Sequence, residues 1–305
     1  MALLEARGLH KRFADVQAVA GVDLDIEPGE IFGLVGPDGA GKTTTLRLLV
    51  GVLDPDQGQI VVDGLRVDRS PEEVRERLGY MPQQYSLYGD LTVAENLSFF
   101  ADMYFVSGKE RKERLATLYR FSRLEPYAKR PAGKLSGGMY KKLALSCNMI
   151  HNPKLLLLDE PTTGVDPLSR RELWDILYAF SAEGVAILVS TPYMDEAERC
   201  HRVGLMSSGR FLVTDRPQVI LERFPEAMFE ALVSDVQGAR VALRKAEGVL
   251  RSYPSGEVLK IACLPTTGIE TIRHALNGAG LSVAQIEQVR PTFEDVFLSK
   301  EAARS

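Results

Sequence analysis

A chain of 305 residues, 45% hydrophobic and 26% charged, has the composition of an ordinary folded protein and room for one large domain with a small companion. A formal net charge of −4 argues against nucleic acid as its main partner. No apolar run approaches the ~20 residues that cross a bilayer, and Arg7 and His10 come too early for a secretory apolar segment, so association with a membrane is expected to go through another chain.

In chain order, residues 3–9, 21–26 and 58–62 alternate apolar and polar positions, the pattern of half-buried antiparallel strands. Residues 31–35 are instead a continuous apolar run, and leucines at 46, 48 and 49 mark a helix over 43–53. The runs 155–158 and 185–189 are also continuous, which suits strands buried on both faces of a mainly parallel sheet. From residue 91 to 150 helix formers and charge dominate, predicting a helical insertion whose dense charge run, 109–114, is a solvated face. Residues 1–217 therefore read as an α/β core with an antiparallel β-subdomain and that insertion. After Pro217 a separate rhythm predicts strand 229–233, helix 237–247, a hairpin turning at Pro254-Ser255-Gly256, helix 269–277 and strand 282–289. That β-α-β-β-α-β order is ferredoxin-like and predicts a small C-terminal α+β accessory domain over 218–305, without a catalytic constellation. Cys147, Cys200 and Cys263 form no C-x-x-C pair and read as buried reduced thiols, as expected in the cytoplasm.

Chemistry concentrates at strand ends. Gly36-Pro37-Asp38-Gly39-Ala40-Gly41-Lys42-Thr43, with Thr44 beside it, fits the phosphate-loop pattern G-x-x-x-x-G-K-[ST] between a strand and a helix. Glycines let such a loop curl until its N–H groups point at phosphate oxygens, and the helix start adds its positive dipole end. Lys42 supplies a cation for β- and γ-phosphates, and the Thr43 hydroxyl is placed for Mg²⁺. Asp159 and Glu160 close the leucine run, at the edge where open α/β sheets bind ligands. Asp159 is expected to hold Mg²⁺ through water, and Glu160 to polarise an attacking water as general base.

Leu135-Ser136-Gly137-Gly138-Met139 comes shortly before Asp159. Together with the phosphate loop, the acidic strand end and Asp166, it resembles the signature arrangement of ATP-binding-cassette (ABC) transporter ATPases, over about the first 215 residues. The resemblance implies a P-loop NTPase core that binds ATP and Mg²⁺. It also implies a second anion cradle, formed by Ser136, Gly137 and Gly138, that docks on the γ-phosphate held by a second ATP-binding cassette. Phe13 stands where the family stacks an aromatic on adenine; its other reading is a plain core phenylalanine. Gln83, rather than Gln84, resembles the glutamine that contacts the metal and links the core to the insertion. Asp166 resembles the aspartate that reaches across the dimer. Met139 replaces the usual glutamine, which leaves the anion contacts of residues 136–138 available. The helix Arg170-Arg171-Glu172-Leu173-Trp174 and the ending Pro291-Thr292-Phe293-Glu294-Asp295-Val296-Phe297-Leu298 look like ATPase subunits of ABC-2-type exporters, the multidrug-efflux and daunorubicin-resistance types included. The implied protein is a cytoplasmic motor, peripheral on the inner face of the cell membrane. It dimerises on ATP and drives small-molecule export through an integral membrane subunit.

Force is expected to reach that subunit through the surface after Gln83. Tyr85 and Tyr88 read as interface, Phe99 and Phe100 as core of the insertion, with Leu87, Tyr104 and Phe105 nearby. The last apolar run ends in Ser190-Thr191-Pro192-Tyr193-Met194-Asp195-Glu196-Ala197. The family usually has a histidine after the threonine, contacting the γ-phosphate, whereas Pro192 offers neither a side-chain donor nor a backbone N–H. Losing one such donor costs ~2.7–4 kcal/mol, roughly 10²–10³ in rate, so tight ATP binding with slow intrinsic hydrolysis is expected. Two other functions compete: a slowly hydrolysing regulatory cassette paired with a complete one, and an ABC ATPase outside transport. The latter usually carries a coiled-coil insertion or tandem cassettes, and neither pattern is found in these 305 residues.

Overall fold

The computed structural model describes residues 2–84 and 87–304; Tyr85, read above as interface, lies outside the described residues. The chain divides into two compact units, Met1–Pro217 and Gln218–Ser305.

The first unit opens with β1 (Leu4–Phe13), β2 (Val16–Ile26), β3 (Ile31–Val35) and α1 (Lys42–Leu49). Next come β4 (Gln57–Val62), β5 (Leu65–Arg66), α2 (Pro71–Arg77) and β6 (Leu78–Met81). Three helices follow, α3 (Val93–Met103), α4 (Gly108–Ser122) and α5 (Gly137–Met149). The unit closes with β7 (Leu155–Asp159), α6 (Pro167–Ala182), β8 (Ala186–Thr191), β9 (Arg202–Ser207) and β10 (Arg210–Asp215). Four strands form an antiparallel sheet in the order β2-β1-β4-β5. Its alternation is visible in β2, where Val22, Leu24 and Ile26 are buried and Gly21, Asp23 and Asp25 lie nearer the surface.

The second sheet runs β10-β9-β3-β8-β7-β6. Strands β9, β3, β8, β7 and β6 are parallel neighbours, and β10 joins antiparallel. Continuous apolar sequence suits this position: β3, β7 and β8 are buried at every residue. Each buried leucine of the 155–158 run is worth about 1.5–3 kcal/mol relative to exposure. Because the strands are parallel, their C-terminal ends share one edge. Val35 lies opposite Thr191, Ser190 opposite Asp159, and Leu158 opposite Met81. The loops after β3, β6, β7 and β8 therefore leave the sheet side by side.

Helix α1 is shorter than the leucine pattern predicts. It stops at Leu49, and the N–H groups of Val52 and Leu53 fold back onto the Arg47 carbonyl at 3.0 and 3.1 Å. Helix α3 is fixed at its start by a reciprocal Thr92–Glu95 capping box. Phe99, expected in the core of the insertion, is instead 39% exposed; its ring meets Tyr88 edge-on at 4.6 Å, and Tyr88 is 50% exposed. Helix α3 buries Val93, Asn96, Leu97 and Ala101, a stripe that leaves position 99 on the opposite face.

Helix α7 (Pro217–Glu222) leads into the second unit. There β11 (Ala227–Val233), α8 (Val236–Leu243), β12 (Val249–Ser255), β13 (Val258–Cys263), α9 (Ile269–Gly278) and β14 (Val283–Val289) follow the β-α-β-β-α-β order. The antiparallel strand order β12-β13-β11-β14 is that of a ferredoxin-like sheet. Its core packs Phe229, Leu243, Leu259, Ile261, Ile272 and Leu276 between sheet and helices. A last helix, α10 (Phe293–Ala302), was not legible as an element; it starts at a Thr292–Asp295 capping box.

Candidate functional site

The loop 36–41 carries the chain from β3 into α1 and can do so because of its glycines. Gly41 caps α1 with φ 106°, and a Cβ there would lie 2.3 Å from the Ala18 carbonyl oxygen, so both conformation and space demand glycine. The loop is braced against the neighbouring strand by Gly36 N–H donating to the Thr191 carbonyl at 3.2 Å. Lys42 is 4% exposed, and its Nζ donates to the carbonyls of Gly36 at 2.8 Å and Pro37 at 3.1 Å.

On the adjoining strand ends, Thr43 Oγ1 donates to Asp159 Oδ1 at 3.1 Å, and Ser190 Oγ donates to the same oxygen at 2.6 Å. Asp159 Oδ2 is buried with no hydrogen-bond partner among the described residues. A buried, unpartnered carboxylate oxygen beside a hydroxyl is the donor set of a hard divalent cation that keeps several waters, so these residues fit Mg²⁺. Glu160 follows with φ 51°, a left-handed conformation that costs a non-glycine residue about 1–3 kcal/mol and clusters at functional sites. Its N–H is held by Ser190 Oγ at 3.1 Å. Its carboxylate is almost buried: Oε1 lies 3.5 Å from Lys42 Nζ, and Oε2 accepts from Gln83 Nε2 at 3.0 Å and Thr163 Oγ1 at 3.2 Å.

These groups surround a cleft of about 660 Å³ lined by residues 16–18 and 38–44, together with Gln83, Glu160, Thr163, Pro192 and Tyr193. Asp38, Gly39, Ala40, Gly41, Lys42, Thr43, Thr44, Gln83 and Glu160 were all named from sequence. Pro192 stands in the wall. Ser190, Thr163 and Val16 were given no role, although a hydroxyl closing an apolar run, as Ser190 does, is a signal worth reading. Lys141 was also missed: its Nζ donates to the Gln83 carbonyl at 3.5 Å. Burial pushes its ammonium below the ordinary value, against the pull of Glu160 and Asp159.

Phe13 is not among the residues lining this cleft. It is 45% exposed and pairs across β1–β2 with Val16, which does line it; the plain core reading is excluded. Ser136, Gly137, Gly138 and Asp166 also stand apart from the cleft lining, next to one another. Ser136 Oγ caps α5 by accepting from Met139 N–H at 3.3 Å, and Asp166 caps α6 by accepting from Ser169 N–H at 2.9 Å. That backbone bond holds the Asp166 carboxyl below the usual carboxylate range. A Cβ on Gly138 would collide with Ser169 Oγ at 2.2 Å, so the start of α5 rests on the start of α6 only because position 138 lacks a side chain. Cys147, Cys200 and Cys263 are free and buried.

Residues 19–163 match the protein-family profile described as "ABC transporter". The chain is 42% identical, over 97% of its length, to the Escherichia coli K12 protein named "Probable multidrug ABC transporter ATP-binding protein YbhF", and it spans about half, 52%, of that relative. It is 40% identical to "Nod factor export ATP-binding protein I" of Burkholderia pseudomallei, over 73% of each chain. Among solved structures, one described as the ATP-binding subunit of an ABC transporter is 32% identical, with TM-score 0.66 over 73% of this chain and 93% of that one. A second, cbiO1 of Clostridium perfringens, part of the ABC transporter complex cbiONQ, is 27% identical with TM-score 0.66, covering 73% and 91%.

Proposed function

Because the chain belongs to the ABC transporter ATP-binding family, we propose that it binds ATP with Mg²⁺ and hydrolyses it as the motor of an exporter whose membrane-spanning part is a separate subunit. The observation that carries this reading is the Glu160 carboxylate. It sits between Lys42 on one side and Gln83 and Thr163 on the other, in a cleft walled by the phosphate loop.

In this reading the N–H groups of Asp38, Gly39, Gly41, Thr43 and Thr44 hold the phosphates, while that of Gly36 stays on the Thr191 carbonyl and that of Ala40 on the Pro37 carbonyl. Lys42 exchanges its bonds to the Gly36 and Pro37 carbonyls for the β- and γ-phosphate oxygens. Thr43, Gln83 and Asp159 hold Mg²⁺, which when bound neutralises charge on the phosphates. Glu160 takes the proton of the attacking water, with Gln83 and Thr163 fixing its Oε2 and leaving Oε1 for that task. Ser136, Gly137, Gly138 and Asp166, outside the lining of this cleft, serve the nucleotide of a second cassette, as a homo- or heterodimer. Phe13 covers the adenine from the exposed end of β1.

The names of the relatives support export of a small molecule. Among the described residues no helix is long and apolar enough to cross a membrane; a peripheral place on the cytoplasmic face belongs to the motor reading itself. The exposed Tyr88–Phe99 pair supports docking of the membrane subunit there. A second reading, a slowly hydrolysing regulatory cassette, is favoured by Pro192 in the cleft wall.

Steady-state phosphate release from the full chain with MgATP decides. Glu160→Gln is expected to lower release by about 10²–10⁴-fold while labelled ATP still binds; unchanged release removes Glu160 from the reaction. Bound ATP without release by the unmodified chain selects the regulatory reading.

A further inference from the structure

We propose that the Glu196 carboxylate is a positioning residue that locks the cleft wall, Pro192 and Tyr193, to helix α6, so that filling the cleft is felt at Trp174. The inference rests on the nucleotide-site reading above and deepens it.

Glu196 is 0% exposed, in the short helical turn after β8. A buried carboxylate needs its lone pairs engaged, and here two parts of the fold share them. Oε2 accepts from the Thr191 hydroxyl at 2.6 Å and the Thr162 hydroxyl at 3.0 Å. Oε1 accepts from the Trp174 indole N–H at 3.3 Å, and Arg170 Nε stands 3.5 Å away as an ion pair. Thr191 Oγ1 in turn accepts from Tyr193 N–H at 3.1 Å, which ties the backbone around Pro192 to the carboxylate. Arg170 and Trp174 are one turn apart on α6 and so face the same way. The Arg170 guanidinium also lies 4.2 Å from the centre of the Tyr193 ring, and Tyr193 lines the cleft. Two stretches noted separately in the sequence, 170–174 and 190–197, thus meet on one side chain.

With Thr191 and Tyr193 tied to Glu196, a phosphate that displaces the Pro192–Tyr193 wall moves the carboxylate against α6 instead of being absorbed by a loose loop. Helix α6 starts against α5, where Ser169 fills the space beside Gly138. The displacement is thereby delivered to the start of α5. Glu196→Gln keeps the shape but replaces an acceptor oxygen by a donor amide, so one of the two donor pairs must break.

Trp174 is the single tryptophan of the chain, so its emission reports this contact without a label. The full chain is titrated with MgATP while emission is followed, and occupancy is measured separately by equilibrium dialysis with radiolabelled ATP. The expected result is an emission change that tracks occupancy. It is lost in Glu196→Gln and diminished in Thr191→Val, with ATP affinity within about threefold of the unmodified chain. The kcat of Glu196→Gln is expected to fall about 10–100-fold with KM nearly constant. Binding without an emission change, or a change undiminished in both variants, overturns the coupling and leaves the nucleotide site standing. A lower melting temperature with kcat per binding-competent chain unchanged makes Glu196 a packing residue and also overturns it. No ATP binding in the dialysis overturns the nucleotide-site reading and this inference together.

Discussion

Replacing Pro192 by histidine tests whether a missing donor limits hydrolysis. Pro192 stands in the wall of the cleft that also contains Lys42, Thr43, Gln83 and Glu160. Its main chain is held by neighbours rather than by its own ring: Tyr193 N–H donates to Thr191 Oγ1, and Thr191 Oγ1 donates to Glu196. The wall therefore keeps its course when the pyrrolidine is removed, and an imidazole N–H enters the cleft. One positioned donor to a developing charge is worth ~2.7–4 kcal/mol, or roughly 10²–10³ in rate. The cost is small, because Pro→Xaa returns about 0.4–1 kcal/mol of chain entropy to the unfolded state. Pro192→His is thus expected to release phosphate about 10²-fold faster, with a melting temperature a few degrees lower. Phosphate release is measured under saturating MgATP for the unmodified chain, Pro192→His, Glu160→Gln and the double variant, with Glu160→Gln expected to lower release about 10²–10⁴-fold in either background. If Pro192→His is no faster while Glu160→Gln abolishes the activity of the unmodified chain, the missing donor is not what limits the rate, and the reasoning fails.

Tyr88→Ala removes an exposed ring but not the main-chain clamp beneath it, since buried Asn96 accepts from Tyr88 N–H at 3.0 Å and donates to the Tyr88 carbonyl at 3.0 Å. Stability is expected to shift by less than about 0.5 kcal/mol and ATP binding to persist, while transport by the reconstituted complex is lost; loss of ATP binding instead would refute the docking role. In the second unit, burial pushes the Asp295 carboxyl up. Hydrogen bonds from Tyr253, from the Thr292 backbone and hydroxyl, and from Lys260 outweigh that burial and hold the carboxyl below the usual carboxylate range. A depressed folded value stabilises above the unfolded value, about 3.9, and that stability is lost as pH falls through the folded one. Asp295→Asn, which leaves Lys260 without its buried partner, is expected to cost about 3–5 kcal/mol near neutral pH and to flatten the acid limb, read as hydrogen-exchange protection of β13 and α10 against pH. Equal acid sensitivity in the variant would assign the effect to another group.

Much of the site was legible because its chemistry is local. A phosphate loop is eight consecutive residues whose backbone makes the cradle, and Asp159–Glu160 are consecutive at the end of one buried strand. Burial was legible wherever it follows a short period, as in β2 and β7. Phe99 was misplaced because an apolar residue type does not say which face of a helix it occupies; the stripe Val93, Asn96, Leu97 and Ala101 decided that. Asn96 belongs to that stripe because three loop carbonyls accept from its side-chain amide, a reason found nowhere in the hydrophobic pattern. The second unit was read from alternating elements, but α10 escaped, since its anchoring partners Lys260 and Tyr253 lie far back in the chain.

By itself the sequence determined the phosphate-loop pattern, the acidic end of the buried strand 155–159 and the β-α-β-β-α-β order of the second unit, because these depend on residues within one or two turns of each other. The tertiary structure decided what those parts touch. Strand order places Ser190 between Asp159 and Glu160, sets Phe13 off the cleft lining, and brings Thr162, Arg170, Trp174 and Thr191 onto Glu196. Such contacts join residues from different elements, and their partners are chosen by sheet register and helix packing, quantities that no local spacing carries.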